Sequence, residues 1–136
     1  MEVSPYLSFT GDCEAAFAFY ARCFGGTPGQ IFRYAGTPFE SKVPPDWSEK
    51  VMHTSLTIGA LVLMGADVLP ERHEPLKGFS LSVQPDHIAD AERMYRELAD
   101  GGTIVAPLEQ TFWASRFGVI VDRFGVTWMI NCGAAD

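Results

Sequence analysis

Basic residues are the scarce class in this chain of 136 residues: 10 Lys and Arg stand against 17 Asp and Glu, for a formal charge of −7. Such a chain repels phosphate backbones, and its few cations are scattered instead of forming a stripe, so nucleic acid is excluded and neutral or cationic small molecules remain as ligands. Long apolar runs are missing as well. None approaches the roughly 20 residues of a membrane-spanning helix, and the first residues lack the basic and apolar stretches of a signal peptide, so no membrane partner and a cytoplasmic location are expected. Cysteine is sparse: Cys13 and Cys23 would stand about 15 Å apart on one helix at 1.5 Å per residue, too far for a disulfide, which leaves free thiols with Cys132 in a buried strand.

What is present is 47% hydrophobic against 20% charged residues, enough for one domain with a substantial core. Pro5 to Phe9 reads as a strand, and Gly11-Asp12 ends it with a carboxylate at the N-cap of a helix. In that helix Cys13, Phe17, Tyr20 and Phe24 form one apolar stripe, closed by Gly25-Gly26. Gln30 to Tyr34 reads as a short strand, and residues 35–50, with Pro38, Pro44 and Pro45, as an irregular loop. Val51 to Ile58 and Ala60 to Met64 then pivot at Gly59 as a strand pair.

The second half repeats this order. Gly78 to Val83 reads as a strand, Asp86 or Asp90 opens a helix with Ala91, Met94, Tyr95 and Leu98 as its stripe, and Gly101-Gly102 ends it. Thr103 to Leu108, Phe117 to Val121 and Val126 to Asn131 are three further strands, the last two turning at Arg123-Phe124-Gly125. Two βαβββ modules, about 1–66 and 78–136 with a linker at about 67–77, make up the single domain expected.

Period-two alternation sorts the candidate site residues. His53, Ser55 and Thr57 share one strand face, and Ser80, Ser82 and Gln84, with Thr127 and Asn131, repeat a polar face on other strands. Such a face meets solvent, or lines a pocket if the sheet forms a cup. In the aromatic segment from Glu109 to Gly118, Glu109, Thr111 and Trp113 alternate onto one side with Trp113 at a cleft mouth, while Phe112 is assigned to the core. Arg116 either bridges to Glu109 or Asp122 or holds an anionic ligand group; Glu109 and His53 are the candidate acid and base. His73 and His87, set among charged neighbours, read as solvated surface groups.

The chain resembles the vicinal oxygen chelate (glyoxalase/bleomycin-resistance/dioxygenase) superfamily, and within it the PhnB-like branch often labelled 3-demethylubiquinone-9 3-methyltransferase-like. The resemblance rests on Pro5-Tyr6-Leu7-Ser8-Phe9 with Gly11, the helix Glu14 to Tyr20 ending in Phe24-Gly25-Gly26, Met52-His53, Gly78 to Val83, and the aromatic segment continued through Asp122 to Asn131. It implies an α+β fold in which two tandem modules form curved mixed sheets around a cleft. It also implies metal ligands on the first and last strand of each module, at Pro5, Leu63, Gly78 and Met129 to within about one residue. None of these four suits a hard divalent cation, and of their neighbours only Tyr6 offers a donor, so neither a metal nor another cofactor is expected.

The expected function is small-molecule binding of the bleomycin-resistance type, with His53, Ser55, Ser80, Ser82, Glu109, Thr111, Trp113, Arg116 and Asn131 as ligand-binding residues. The alternative is a lyase- or isomerase-type enzyme of the same superfamily. A methyltransferase is disfavoured, because no G-x-G-x-x-G or similar strand-to-helix turn occurs. Phe39, Trp47 and Phe112 give the surface apolar area to cover, so a homodimer is expected.

Overall fold

In the computed structural model, which describes residues 1–134, the chain divides into two units, Met1–Glu74 and the part from Pro75 onward. The first unit runs β1 (Tyr6–Phe9), α1 (Cys13–Phe24), β2 (Thr27–Pro28), β3 (Phe32–Arg33), β4 (Val51–Ile58) and β5 (Leu61–Asp67). The second runs β6 (Leu81–Val83), α2 (Ile88–Ala99), β7 (Thr103–Glu109), β8 (Ala114–Val121) and β9 (Thr127–Ala134). The α+β class is therefore as the residues implied, with one helix and one sheet in each unit.

Strand order is the same in both sheets. The first follows β1-β5-β4-β2, with β3 also pairing β4, and the second follows β6-β9-β8-β7. In each, the first strand lies parallel to the last, Tyr6 opposite Met64 and Ser82 opposite Met129, while the remaining pairs are antiparallel.

The helices bury much of the stripes that their spacing predicts, with Phe24, Met94 and Tyr95 only half-buried. In α1, Cys13, Ala16, Phe17, Tyr20 and Cys23 are buried, as are Leu7, Phe9, Leu56 and Leu63 of the sheet, with Phe9 edge-on to Phe17. Full burial of such side chains is worth roughly 1.5–3 kcal/mol each. Gly65 sits where a Cβ would lie 2.6 Å from Phe17 Cε1, so the helix packs closely only because that position is bare. In α2, Ala91 and Leu98 are buried, as are Ile120, Trp128, Ile130 and Cys132 of its sheet. Gly25 ends α1 at φ +70°, its N–H reaching Ala21 O at 2.9 Å.

Several boundaries differ from expectation. Asp12 stands at the N-cap of α1 but its side chain makes no capping bond. The donors at this helix start go instead to Asp67 at the end of β5: its Oδ1 accepts from Gly11 N at 2.8 Å and Cys13 N at 3.0 Å, and its Oδ2 from Val51 N at 3.0 Å. Helix α2 opens at His87, between the two aspartates proposed for that role. The strand expected from Gly78 begins only at Leu81; Gly78 has φ +66°, outside the extended region a strand requires. The strand expected at residues 30–34 shrinks to Phe32–Arg33, and β2 was not anticipated. Strand β5 continues through Asp67, past the expected linker start.

Asp122 closes the β8–β9 turn as Asp67 closes α1. Its Oδ1 accepts from Phe124 N at 2.8 Å and Val126 N at 3.0 Å, and its Oδ2 from Trp128 Nε1 at 2.9 Å. It is thus committed to its own hairpin, not to Arg116. Residues 35–50 are irregular as expected, with short 3₁₀ turns at Glu40–Lys42 and Pro45–Trp47.

Candidate functional site

Paired residues on neighbouring strands share a face, so the registers show what each sheet presents away from its helix. In the first unit Leu7, Thr54, Leu56 and Leu63 are buried on the α1 side, which turns Tyr6, Ser8, His53, Ser55 and Met64 to the other side. His53 lies opposite Phe32 in the β3–β4 pairing. Its ring is flanked by Tyr6 at 5.8 Å and Phe32 at 6.3 Å between centroids, and its Nδ1 lies 3.3 Å from the Tyr6 hydroxyl. Tyr6 and Phe32 remain 48% and 42% exposed, so the cluster is open to a ligand.

Burial raises the Tyr6 pKa, with Cys13 and Tyr34 adding to the rise, so the phenol stays neutral and can donate to Nδ1. When Nδ1 accepts from the phenol, Nε2–H is the ring donor left for another molecule; in the other tautomer Nε2 is an acceptor.

In the second unit the side away from α2 carries Ser82, Phe117, Val119, Thr127, Met129 and Asn131, with Glu109 opposite Phe117 and Phe117 opposite Asn131. Trp113 packs edge-on against Phe117 at 5.0 Å and Phe112 at 4.8 Å. The chain from Gln110 to Trp113 is a loop, not a continued strand. Thr111 closes it: its N–H donates to Ala114 O at 3.0 Å and its Oγ1 accepts from Ala114 N at 3.1 Å. The turn reverses the expected assignment of Phe112, which is 91% exposed instead of in the core, while Trp113 is 45% exposed.

Of the remaining predicted residues, Ser80 precedes β6 and is exposed, as is Glu109. Arg116 lies opposite Cys132, a buried residue of the α2 side. There its Nε is 3.9 Å from Glu92 Oε1 and its Nη1 donates to Ser115 O at 2.7 Å; neither Glu109 nor Asp122 is the partner. The structure thus gathers His53 and Ser55 on one sheet face and Ser82, Glu109, Trp113 and Asn131 around another, and sets Arg116 on the opposite side from Asn131. Sequence reasoning missed Tyr6 and Phe32 as companions of His53. Alternation of Tyr6 with buried Leu7 was the available signal for the first; the second depends on a strand of two residues.

The positions implied for metal ligands can be tested by their donors. Leu63 is fully buried on the helix side, Pro5 precedes β1, Gly78 lies outside β6, and Met129 offers a thioether. The pairs that face away from the helices are Tyr6 with Met64 and Ser82 with Met129. Neutral phenol, hydroxyl and thioether do not fit Zn, Ni, Fe or Mn. Among the described residues no group of three or more His, Cys, Asp or Glu is placed to share an ion.

The family model of the Glyoxalase/Bleomycin resistance protein/Dioxygenase superfamily matches residues 3–130. The chain belongs to this superfamily. Among curated relatives, Protein YjdN of Escherichia coli K12 is 32% identical over 142 residues, covering 96% of this chain and 95% of the relative. Among solved structures, protein PA1353 from Pseudomonas aeruginosa is 42% identical with a TM-score of 0.88 and 98% of each chain covered. A Bacillus cereus protein described as a putative 3-demethylubiquinone-9 3-methyltransferase, PhnB protein, shares the fold at 24% identity and a TM-score of 0.84, over 98% of this chain and 100% of its own. Membership accords with the repeated strand order of the two units.

Proposed function

We propose that the chain is a small-molecule binding protein of the glyoxalase/bleomycin-resistance type, in the PhnB-like branch, that works without the superfamily's usual metal site. The observation that carries this reading is His53 held between two half-exposed aromatic rings, with Nδ1 engaged by Tyr6. Flat apolar walls and one oriented ring donor suit a planar ligand with a hydrogen-bond acceptor. The charge of −7 favours neutral or cationic ligands. We assign Ser55 to the same candidate face, and in the second unit Ser82, Glu109, Trp113 and Asn131 to a candidate face of their own flanked by Ser80 and Thr111, whereas Arg116 lies on the α2 side, apart from it. We read the protein as a cytoplasmic homodimer covering the exposed Phe39 and Phe112, and sedimentation giving a monomer at micromolar concentration would contradict that assembly.

A thermal-shift screen of metabolites and antibiotics, run with and without divalent cations, tests the binding reading. A ligand at 100 times its Kd stabilises by about 2.7 kcal/mol. The expected result is saturable stabilisation that does not depend on added metal and is lost in His53→Ala. Stabilisation seen only with a divalent cation would overturn it.

One observation favours an enzymatic second reading, a lyase or isomerase: a phenol and an imidazole within 3.3 Å can pass a proton between them. Turnover of the stabilising ligand, abolished in both Tyr6→Phe and His53→Ala, would select it. Methyl transfer from S-adenosylmethionine finds no support, since the strand-to-helix turns are Thr10-Gly11-Asp12 and Gln84-Pro85-Asp86-His87, neither glycine-rich.

A further inference from the structure

We infer that the first unit carries a separate binding site, a cavity of about 180 Å³ beside α1 that takes a compact, neutral, apolar ring of benzene to indole size. Phe17 and Ala18 of α1 form one wall, Ile31 between β2 and β3 another, and Thr54 and Leu56 of β4 the base, with Glu14 at the rim. Size decides the class of ligand. Sites for whole metabolites or drugs occupy about 300–1,000 Å³, whereas a dry cavity of about 150 Å³ lined by aliphatic and aromatic side chains binds benzene.

Of the polar residues in the lining, Thr54 and Glu14 are engaged within the protein, and the Ser55 hydroxyl lies against Gly29. The Thr54 hydroxyl donates to Gln30 O at 3.3 Å, and both Glu14 oxygens accept from Arg33, at 3.0 and 2.9 Å. A charged ligand would find no free counter-ion here, and an apolar one loses nothing by its lack of donors. Entry is provided at the wall between β2 and β3, two strands of two residues each, where Ala18 and Ile31 are exposed. Arg33 fastens this wall to α1 through Glu14 and also donates to Glu49 O at 2.8 Å. Phe17 and Leu56 are buried on the α1 side of the sheet, whereas Tyr6 and His53 face away from it; Ser55 borders both, so shifts at Phe17 and Leu56 against Tyr6 and His53 tell which site is occupied.

The test is titration of the full chain with benzene and with indole, followed by methyl and amide NMR, alongside Ala18→Leu. Leucine at this exposed helical position keeps helix propensity while its branched end fills the cavity. Saturable shifts at Ile31 and Leu56, weakened at least tenfold in Ala18→Leu at an unchanged melting temperature, are expected. Absence of saturable shifts, equal binding by the variant, or shifts at Tyr6 and His53 would overturn the inference. Should Ala18→Leu melt early, xenon at pressure in crystals of the unaltered chain decides: a peak between Phe17 and Leu56 upholds the site and its absence removes it.

Discussion

Replacing Asp67 by alanine removes a carboxylate that is 1% exposed and accepts three backbone N–H groups, those of Gly11, Cys13 and Val51. Each buried donor left without a partner costs about 1–3 kcal/mol, so the three together could cost 3–9 kcal/mol as an order-of-magnitude upper range. Water entering the vacated space restores part of this, which brings the expected loss to about 4 kcal/mol. A loss near 4 kcal/mol is a large share of the roughly 5–15 kcal/mol by which domains are stable. With a urea slope of about 2 kcal/mol per molar, the midpoint followed by far-ultraviolet circular dichroism should fall by about 2 M. Asp67→Asn keeps one oxygen for Gly11 and Cys13 but turns an amide donor toward Val51 N–H, and should lose about half as much. A midpoint shift below about 0.5 M for the alanine variant would refute the claim that this residue holds the helix start to the sheet.

Gly65→Ala should destabilise by about 1–3 kcal/mol, because the added methyl meets the Phe17 ring at 2.6 Å; thermal melting measures it, and an unchanged midpoint would show that α1 can shift freely. All three cysteines are buried, and burial first, then neighbouring carboxylates, pushes the Cys13 thiol far above its ordinary range, with Cys132 also raised; an aromatic disulfide reagent at pH 8 should therefore label none in the native chain and all three in denaturant. Hydrogen bonding from Arg33 outweighs the opposing desolvation and, helped by the charges of Arg33 and Lys50, holds the Glu14 carboxyl below its usual range. The stability this adds is fully present above the unfolded Glu pKa of about 4.3 and disappears as pH falls through the folded value. Arg33→Met should raise the Glu14 titration midpoint measured by carboxyl NMR toward that ordinary value, and an unmoved midpoint would contradict the ion pair.

Much of this architecture was legible because local patterns carry it. Cys13, Phe17 and Tyr20 recur at helical spacing and are buried together, and the glycine that ends α1 does so at positive φ. What could not be read depends on distant partners. The capping of α1 comes from a residue 54 positions beyond Cys13, so the nearby Asp12 took the role by proximity alone. The polar alternation at Ser80 and Ser82 suggests a longer strand, but pairing with β9 begins only at Leu81, opposite Trp128. Phe112 was assigned inward by its hydrophobicity, although the Thr111–Ala114 turn carries its phenyl outward. At the site, period two placed His53 and Ser55 on one face, whereas its aromatic neighbours Tyr6 and Phe32 come from strands whose pairing no local pattern reveals.

The parallel pairing of β1 with β5 has a consequence for how the polypeptide acquires its form during synthesis. The earliest strand has no hydrogen-bonding neighbour among the segments made directly after it, and must wait, edges bare, until the ribosome has delivered Leu61–Asp67. The same delivery brings the carboxylate that secures the start of α1. Sheet closure and helix anchoring thus fall on one late, long-range event, which slows folding. A nascent chain stalled just short of Asp67 would hold every preceding segment and still lack the carboxylate that ties Gly11 and Cys13 to Val51.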